Sequence, residues 1–325
     1  MYVTSVHVQG FRNAEDFEAT DLGRIVDLPA GPPGIAVADA LLAFAGSLHP
    51  DRIGPVLTQL GLVEGPPVVL VEDGLPIQVT LAEGFGVPSL LPPDGSRNLR
   101  VTVEVKLDPP LFGKLRQLAV RDPRLVTALG EGARIKIKVG WLFTTDHTVL
   151  SIALLGVSVG DTAFPIIGSE RPVWLVELLH DIGSRFGRVK PASAATVVSR
   201  LLDAALSQDP ERRSRYSRLA EALASPPFSL GRLEIVRSGN RLEPCFGTGL
   251  LRARQFGSAA DEALVLTEAV LLDSPDVLII EAPGIANRDP AAVRGWLSAH
   301  ADGDRATLEQ VVFAAGGTAD VEGAA

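Results

Sequence analysis

Cysteine and histidine are scarce in this chain of 325 residues. The one cysteine, Cys245, has no partner for an internal disulfide and cannot build a zinc site alone. The five histidines lie far apart in sequence, and none forms an HxxxH or HxxE pair. The sequence therefore gives no support for a metal site, and we expect no metal cofactor.

Positive charge is also in deficit, with 30 Lys and Arg residues against 39 Asp and Glu residues. The formal net charge is −9 and the isoelectric point is near 5.1. Proteins that bind nucleic acid usually carry a basic balance, because neutralisation of phosphates supplies much of their affinity. The composition argues against this class, although a local basic patch would still allow nucleic-acid contact.

Long apolar runs are missing as well. No stretch reaches the roughly 20 apolar residues that are needed to span a bilayer. The first residues lack the cationic start and apolar run of a signal peptide. We therefore expect a cytoplasmic protein. The bias towards Ala, Gly, Pro, Arg and Val is typical of a GC-rich bacterial genome.

Hydrophobic residues make up 46% of the chain, which is enough for a large core. In the first half, two strands precede a glycine-containing loop at Gly31, and a helix is predicted over Ala36–Leu48, ending near Pro50. Alternating apolar and polar residues then predict an antiparallel block. Its predicted strands are Pro66–Gly84, Asn98–Pro110, Arg134–Phe143 and His147–Val159, the last two forming a hairpin.

The second half is predicted to be helical before it returns to strand. Three helices are indicated in "RPVWLVELLHDIGSRFG", "ASAATVVSRLLDAALSQ" and "PERRSRYSRLAEALA", the last with Pro210 in its first turn. A hairpin at Ser238-Gly239-Asn240 and a helix over Ser258–Ser274 follow. The strand Asp276–Gly284 is apolar on both faces, which is typical of the middle of a parallel sheet. A helix and a last strand complete the pattern.

Four stretches, in this order, resemble the ATPase heads of the RecF/SMC/ABC superfamily. They are "VTSVHVQGFRNAEDFE" for the opening strands, "GPPGIAVADALLAF" for the phosphate-binding loop, "FGSAADEALVLTEAVLLDSPDVLIIEAPG" for the signature helix and Walker B strand, and "DPAAVRGWL" for the segment after the D-loop. The resemblance covers the two ends of the chain. It implies an α/β, ABC/RecF-like P-loop NTPase fold with a central, mostly parallel sheet, an antiparallel β block and an inserted helical lobe.

The resemblance also implies a division of the chain. We expect a single ATPase-like domain over residues 1–325. Residues 1–60 and 230–325 would form the ATPase core, residues 61–160 the antiparallel β block, and residues 161–229 the helical lobe.

The phosphate loop implied by the resemblance lacks its chemical groups. A working loop offers backbone N–H groups, a lysine for the β- and γ-phosphates, and a hydroxyl for Mg²⁺. Gly31 and Gly34 retain the turn. By the resemblance, Ala36 stands where the last loop glycine is expected, Val37 where the lysine is expected, and Ala38 where the hydroxyl is expected.

The C-terminal part of the implied site is altered too. Glu281 follows the apolar strand, where it would either hold Mg²⁺ through water or cap a neighbouring helix, and Ala282 replaces the residue that positions the attacking water. The implied signature loop, which is normally rich in glycine, keeps Gly257 and Ser258 and then has Ala259-Ala260, and Ala314-Ala315-Gly316 lacks the switch histidine. We therefore predict no ATPase activity and no cofactor, with binding of ATP and Mg²⁺ not expected.

Three hypotheses for function remain open. In the first, a catalytically inactive pseudo-ATPase acts as a protein- or peptide-binding scaffold, in a homo- or hetero-dimer. In the second, the chain is a DNA-associated subunit in repair or phage defence whose active site comes from a partner. Arg212, Arg213 and Arg215 would then contact nucleic acid, although a solvated helix face is the ordinary explanation for them. In the third, an accessory protein of a biosynthetic gene cluster binds a precursor peptide.

Overall fold

A computed structural model gives the fold. It describes residues 1–11, 13–81, 87–92, 96–119, 122–129, 134–166, 172–189, 194–238, 241–246, 251–252, 258–281, 290–302 and 308–314. The chain divides into two compact units, Met1–Phe186 and Gly187–Ala325. The division into core, β block and helical lobe stays a prediction.

The first unit combines strands with short helices. Its strands are β1 (Tyr2–Phe11), β2 (Ala14–Ala19), β3 (Ile25–Asp27), β4 (Val68–Glu72), β5 (Leu75–Thr80), β6 (Asn98–Lys106), β7 (Arg134–Phe143), β8 (Val149–Val159) and β9 (Thr162–Phe164). Its helices are α1 (Pro32–Ser47), α2 (Pro50–Gln59), α3 (Val87–Leu90), α4 (Pro109–Ala119), α5 (Pro123–Ala128) and α6 (Val173–Ser184).

Eight of the described strands form one sheet in the order β2-β1-β6-β7-β8-β5-β4, with β9 paired to β8 beside this path. The pairings described in this sheet are antiparallel. The predicted hairpin of β7 and β8 is confirmed. The sheet also includes β1 and β2, which the sequence had placed with the ATPase core.

One face of this sheet packs on α1, and the other is turned outwards. On β7, Ile135, Ile137 and Val139 are buried, whereas Arg134 and Lys136 alternate with them and are exposed. Helix α1 contacts β1, β2, β6 and β8. Because successive side chains of a strand point to opposite faces, β7 can bury its apolar residues against the core while its charged residues face outwards.

The segment predicted as one strand over Pro66–Gly84 is a hairpin instead. Strands β4 and β5 pair antiparallel, with Glu72 opposite Leu75. Between them Asp73 and Gly74 both have positive φ angles, of 50° and 81°. Asp-Gly with two positive φ angles is the preferred sequence of a tight hairpin turn, so the turn signal was present in the sequence.

The second unit contains four helices among its described residues, and short strands. The helices are α7 (Ala194–Ala205), α8 (Pro210–Ala224), α9 (Ser258–Glu268) and α10 (Pro290–Asp302). The strands are β10 (Phe186–Val189, whose first residue belongs to the first unit), β11 (Leu233–Ser238), β12 (Arg241–Phe246), β13 (Leu251–Arg252), β14 (Val277–Glu281) and β15 (Gln310–Ala314). Pro210 begins α8, as predicted.

Parallel pairing is present, although less extensively than predicted. Strands β14 and β15 are parallel, with Val277 opposite Gln310 and Glu281 opposite Ala314. Strand β10 lies beside β14. Residues Val277–Ile280 are fully buried, as their continuous apolar sequence predicts. The chain thus has an α/β fold whose larger sheet is antiparallel, because hairpins rather than crossovers connect most of its strands.

The helix predicted over Ser258–Ser274 changes geometry before it ends. α9 continues into a π-helical segment, Ala269–Asp273, and Ser274 closes it with a φ angle of 44°. The Ser274 N–H donates to the carbonyl of Ala269, five residues earlier. π-Helical turns are rare overall, and those that occur are often at functional sites. The sequence pattern of Ser258–Ser274 predicts a helix without this change of geometry.

Candidate functional site

The segment that the resemblance assigns to a phosphate loop is the first turn of a helix. α1 begins at Pro32, four residues before the predicted start at Ala36. Gly31 is its N-cap, and no side chain caps the helix there. The N–H of Ile35 donates to the carbonyl of Gly31, 3.3 Å away. A segment wound in this way does not wrap around a phosphate.

Each of the two glycines has a structural reason to be there. Gly31 has φ 77° and ψ −154°, a backbone region that is essentially restricted to glycine. At Gly34, a Cβ atom would lie 2.0 Å from the carbonyl oxygen of Pro29. The glycines therefore fix the entry into α1 and its close approach to the preceding chain. Neither needs a phosphate to explain it.

The two prolines between these glycines also bear on anion binding. Pro32 and Pro33 are the first residues of α1. A helix N-terminus binds anions through the free N–H groups of its first turn. Proline has no N–H group, so two of those donors are absent. The sequence "GPPG" shows this directly. The segment that the resemblance assigns to a phosphate loop thus lacks backbone donors in addition to a lysine and a hydroxyl.

The three replaced positions face the interior of the protein. Val37 and Ala38 are fully buried, and Ala36 is 7% exposed. These apolar side chains form part of an apolar helix whose residues Ala40–Ala45 are buried as well. A lysine that reached a phosphate from position 37 would have to leave this packed environment. The first turn of α1 has the chemistry of a core helix.

The carboxylate at the Walker B position has a cation beside it. Glu281 ends β14, and its Oε1 accepts a hydrogen bond from the Nη2 of Arg188 on β10. The Arg188 side chain is fully buried and that of Glu281 is 15% exposed. A buried guanidinium needs a nearby carboxylate to offset its desolvation. The pair with Arg188 gives Glu281 a structural role, while the helix cap and the metal ligand considered from the sequence stay predictions.

The remaining positions of the implied site are partly described. Gly31, Gly34, Ala36, Val37 and Ala38 belong to the first unit, and Glu281 belongs to the second. Ala282, Gly257, Ala315 and Gly316 lie outside the described residues. Ala314 ends β15 and is fully buried, so no polar group occupies that strand end.

The three arginines of α8 that were considered for nucleic-acid contact differ in their surroundings. Arg213 donates to the carbonyl of Ser207 just beyond α7, at 2.8 Å. Arg215 donates to the carboxylate of Glu211 and to the carbonyl of Leu272. Arg212 is exposed. Two of the three arginines considered for nucleic-acid contact thus hold neighbouring segments together. The nucleic-acid hypothesis remains a prediction.

A buried acid at the end of α9 was not singled out by the sequence. The Glu268 side chain is 2% exposed, and its Oε1 lies 2.9 Å from the Nε of Arg200 on α7. Arg200 also contacts Asp273 of the π-helical segment, 3.0 Å away. Burial, with the nearby negative charge of Asp273, raises the pKa of Glu268 to about 7, and Arg200 opposes this shift. In the sequence, Glu268 is a single acid within the largely apolar run "VLTEAVLL", and such a residue gives no signal of a raised pKa.

The tryptophans and helical histidines have structural partners. Trp141 Nε1 donates to Ser47 Oγ, Trp174 Nε1 donates to Asp122 Oδ2, and the Trp296 ring packs against Phe228. His180 bonds the carbonyl of Gly74, and His300 bonds the carbonyl of Trp296. Within the described residues no group of three metal-ligating side chains occurs. No helix in the described parts is long and apolar enough to cross a membrane.

These observations define a mixed α/β protein, and the described positions that the resemblance assigns to a nucleotide site hold apolar or paired side chains. The chain is similar to two structures of the recombination mediator protein RecF of the RecFOR pathway. The RecF-ATPrS structure shares 10% identity with a TM-score of 0.43, covering 99% of this chain and 94% of that one. The RecF-ATP structure shares 11% identity with a TM-score of 0.41, covering 99% and 95%.

An SMC head domain from Thermotoga maritima is also similar, at 10% identity and a TM-score of 0.34, covering 98% of this chain and 90% of that one. RecF and SMC are the families that the sequence resembles. Likeness at this level concerns the fold alone, and nothing about activity follows from it. No protein-family model and no curated protein match the chain.

Proposed function

We propose that this chain is a non-hydrolysing protein of ABC/RecF-like fold that acts as a protein- or peptide-binding scaffold. The observation that supports it most directly is the first turn of α1. That turn is helical from Pro32, and Val37 and Ala38 are fully buried where a lysine and a hydroxyl would be needed. Phosphoryl transfer depends on positioning and charge neutralisation, and this turn supplies neither.

A titration with Mg·ATP tests the catalytic half of this proposal. We expect no heat of binding in calorimetry and no phosphate release from the same sample. We also expect Mg·ATP to leave the thermal midpoint unchanged, because a ligand that binds only the native state would raise it. Saturable heat together with phosphate release that Glu281→Gln abolishes would contradict the proposal.

The binding half is supported by an exposed edge strand. β4 is the last strand of the antiparallel sheet in the described part of the chain. Its Val68, Leu70 and Val71 are 73%, 54% and 44% exposed. An edge with unpaired backbone groups and apolar side chains is suited to addition of a strand from another chain. We place the homo- or hetero-dimer contact of the scaffold here.

A substitution on β4 tests this contact. We expect Leu70→Lys to abolish self-association in sedimentation, or co-purification with products of neighbouring genes, because a charge then lies on the apolar edge. Leu142→Lys is the matched control, since Leu142 is 55% exposed on the interior strand β7. A strictly monomeric wild-type chain that binds none of these products would refute the binding half.

A further inference from the structure

The outer face of the antiparallel sheet contains a groove far along the sheet from β4. Its volume is about 580 Å³. Ligand sites typically occupy roughly 300 to 1,000 Å³. The groove is lined by residues of β1, β6, β7, β8 and β9 and by the two residues after β9. All of them belong to the first unit.

A β-bulge shapes one wall of this groove. The pairing of β7 with β8 shifts after Lys138, which lies opposite Gly156, so that Val139 lies opposite Leu154. Leu155 is the extra residue between them. Bulges of this kind redirect a side chain, and the Leu155 side chain is 41% exposed in the groove.

Two glycines make room for this arrangement. On β7, a Cβ atom at Gly140 would lie 3.0 Å from Cδ1 of Leu155, so the leucine rests over a position without a side chain. At Gly156 a Cβ atom would meet nothing within 4 Å. The open space above Gly156 forms the floor of the groove.

Two lysines give the groove its charge. Lys136 and Lys138 alternate with the buried Ile135, Ile137 and Val139, and therefore face outwards. In the described part of the chain no ion pair involves either lysine. Glu104, the carboxylate directly opposite Lys136 on β6, accepts hydrogen bonds from Thr4 and Arg134.

Hydroxyl groups lie beside the two ammonium groups. Thr102 is the cross-strand partner of Lys138, and Ser158 is that of Lys136. Ammonium groups recognise carboxylates, and hydroxyls donate or accept additional hydrogen bonds. Leu155 and Ile166 offer apolar contact.

We propose that this groove binds a short acidic peptide segment, with an apolar residue beside its carboxylates, from a partner protein. The inference rests on the proposed scaffold function and specifies the chemistry of one partner. A nucleic acid is disfavoured because a phosphate polymer needs a row of cations, and the groove presents two lysines.

A fluorescein-labelled heptapeptide of alternating Glu and Leu is the probe, measured by fluorescence anisotropy against the full chain at low salt. We expect binding with a Kd on the order of 10 μM, weakening as salt is added. The double variant Lys136→Gln/Lys138→Gln should bind at least about tenfold more weakly. Gly156→Val fills the floor without changing charge, and should also abolish binding.

Lys106→Gln is the matched control, because Lys106 lies on the same face of β6 outside the groove and contacts the Tyr2 ring. It should bind the probe as the wild type does, and circular dichroism checks that each variant folds. Equal loss with Lys106→Gln, or no binding by the wild type, overturns the proposal. Lysine-dependent binding of a single-stranded oligonucleotide, without peptide binding, overturns it in favour of nucleic acid. None of these outcomes depends on Mg·ATP, so failure here is distinct from failure of the non-hydrolysing assignment.

Discussion

Glu281→Ala should lower the free energy of unfolding by roughly 3 kcal/mol, because it removes a carboxylate from a buried guanidinium. Arg188 is fully buried and donates to Glu281. Urea unfolding followed by circular dichroism measures the change. Glu211→Ala is the matched control, since Glu211 is 70% exposed and pairs with Arg215 on the surface of α8. Its removal should have a far smaller effect.

A double variant separates the ion pair from other roles of the two residues. Replacing both charges with apolar groups of similar size is often neutral, whereas removing one charge is costly. Arg188→Met/Glu281→Leu should therefore be more stable than Glu281→Ala alone. If the double variant were as unstable as the single variant, the pair would not be the source of the effect.

The same pair bears on the function. Glu281 is the carboxylate that the resemblance assigns to Mg²⁺. In this protein a guanidinium is already placed against it, so a metal ion would compete with a fixed, buried cation. The ion pair and the first turn of α1 are independent features, and both support the proposal that this protein does not hydrolyse ATP.

Much of the fold could be predicted from local pattern. Three local patterns predict elements that the structure contains. They are the alternation of β7, the apolar run of β14 and the proline at the start of α8. The Asp73-Gly74 pair also predicts a hairpin turn, but the apolar residues on both sides of it led to the prediction of one continuous strand. Local patterns of this kind are reliable because they depend on neighbours along the chain.

The candidate sites were harder to predict because they depend on contacts between distant segments. Arg188 and Glu281 are 93 residues apart, and no pattern links them. The groove needs a register shift between β7 and β8, which moves Leu155 relative to Lys138. A register shift is a property of two paired strands, so neither strand predicts it alone.

Glu268 should make the stability of the protein fall as the pH rises. Its pKa is raised to about 7 in the folded chain from a model-peptide value of 4.5, chiefly by burial and then by Asp273. Between these values the unfolded chain binds fewer protons than the folded one, so stability is lost as the pH rises through 7. The difference corresponds to about 3 kcal/mol between about pH 4.5 and about pH 8.

Glu268→Gln isolates this contribution, because glutamine keeps the shape of the side chain without titrating. Relative to the wild type, the variant should gain stability progressively from about pH 5 to about pH 8, reaching a difference of about 3 kcal/mol. Urea unfolding at several pH values measures the two curves, with Glu211→Gln as the exposed control that should run parallel to the wild type.

The groups facing Glu268 are Arg200 and Asp273, and Asp273→Asn should weaken the pH dependence of stability because a repelling charge is removed. Parallel curves for Glu268→Gln and the wild type would show that folding does not raise the pKa of this carboxyl, which would then be ionised over most of this pH range. The Arg200 pair would then outweigh burial in setting the charge of the α9 terminus.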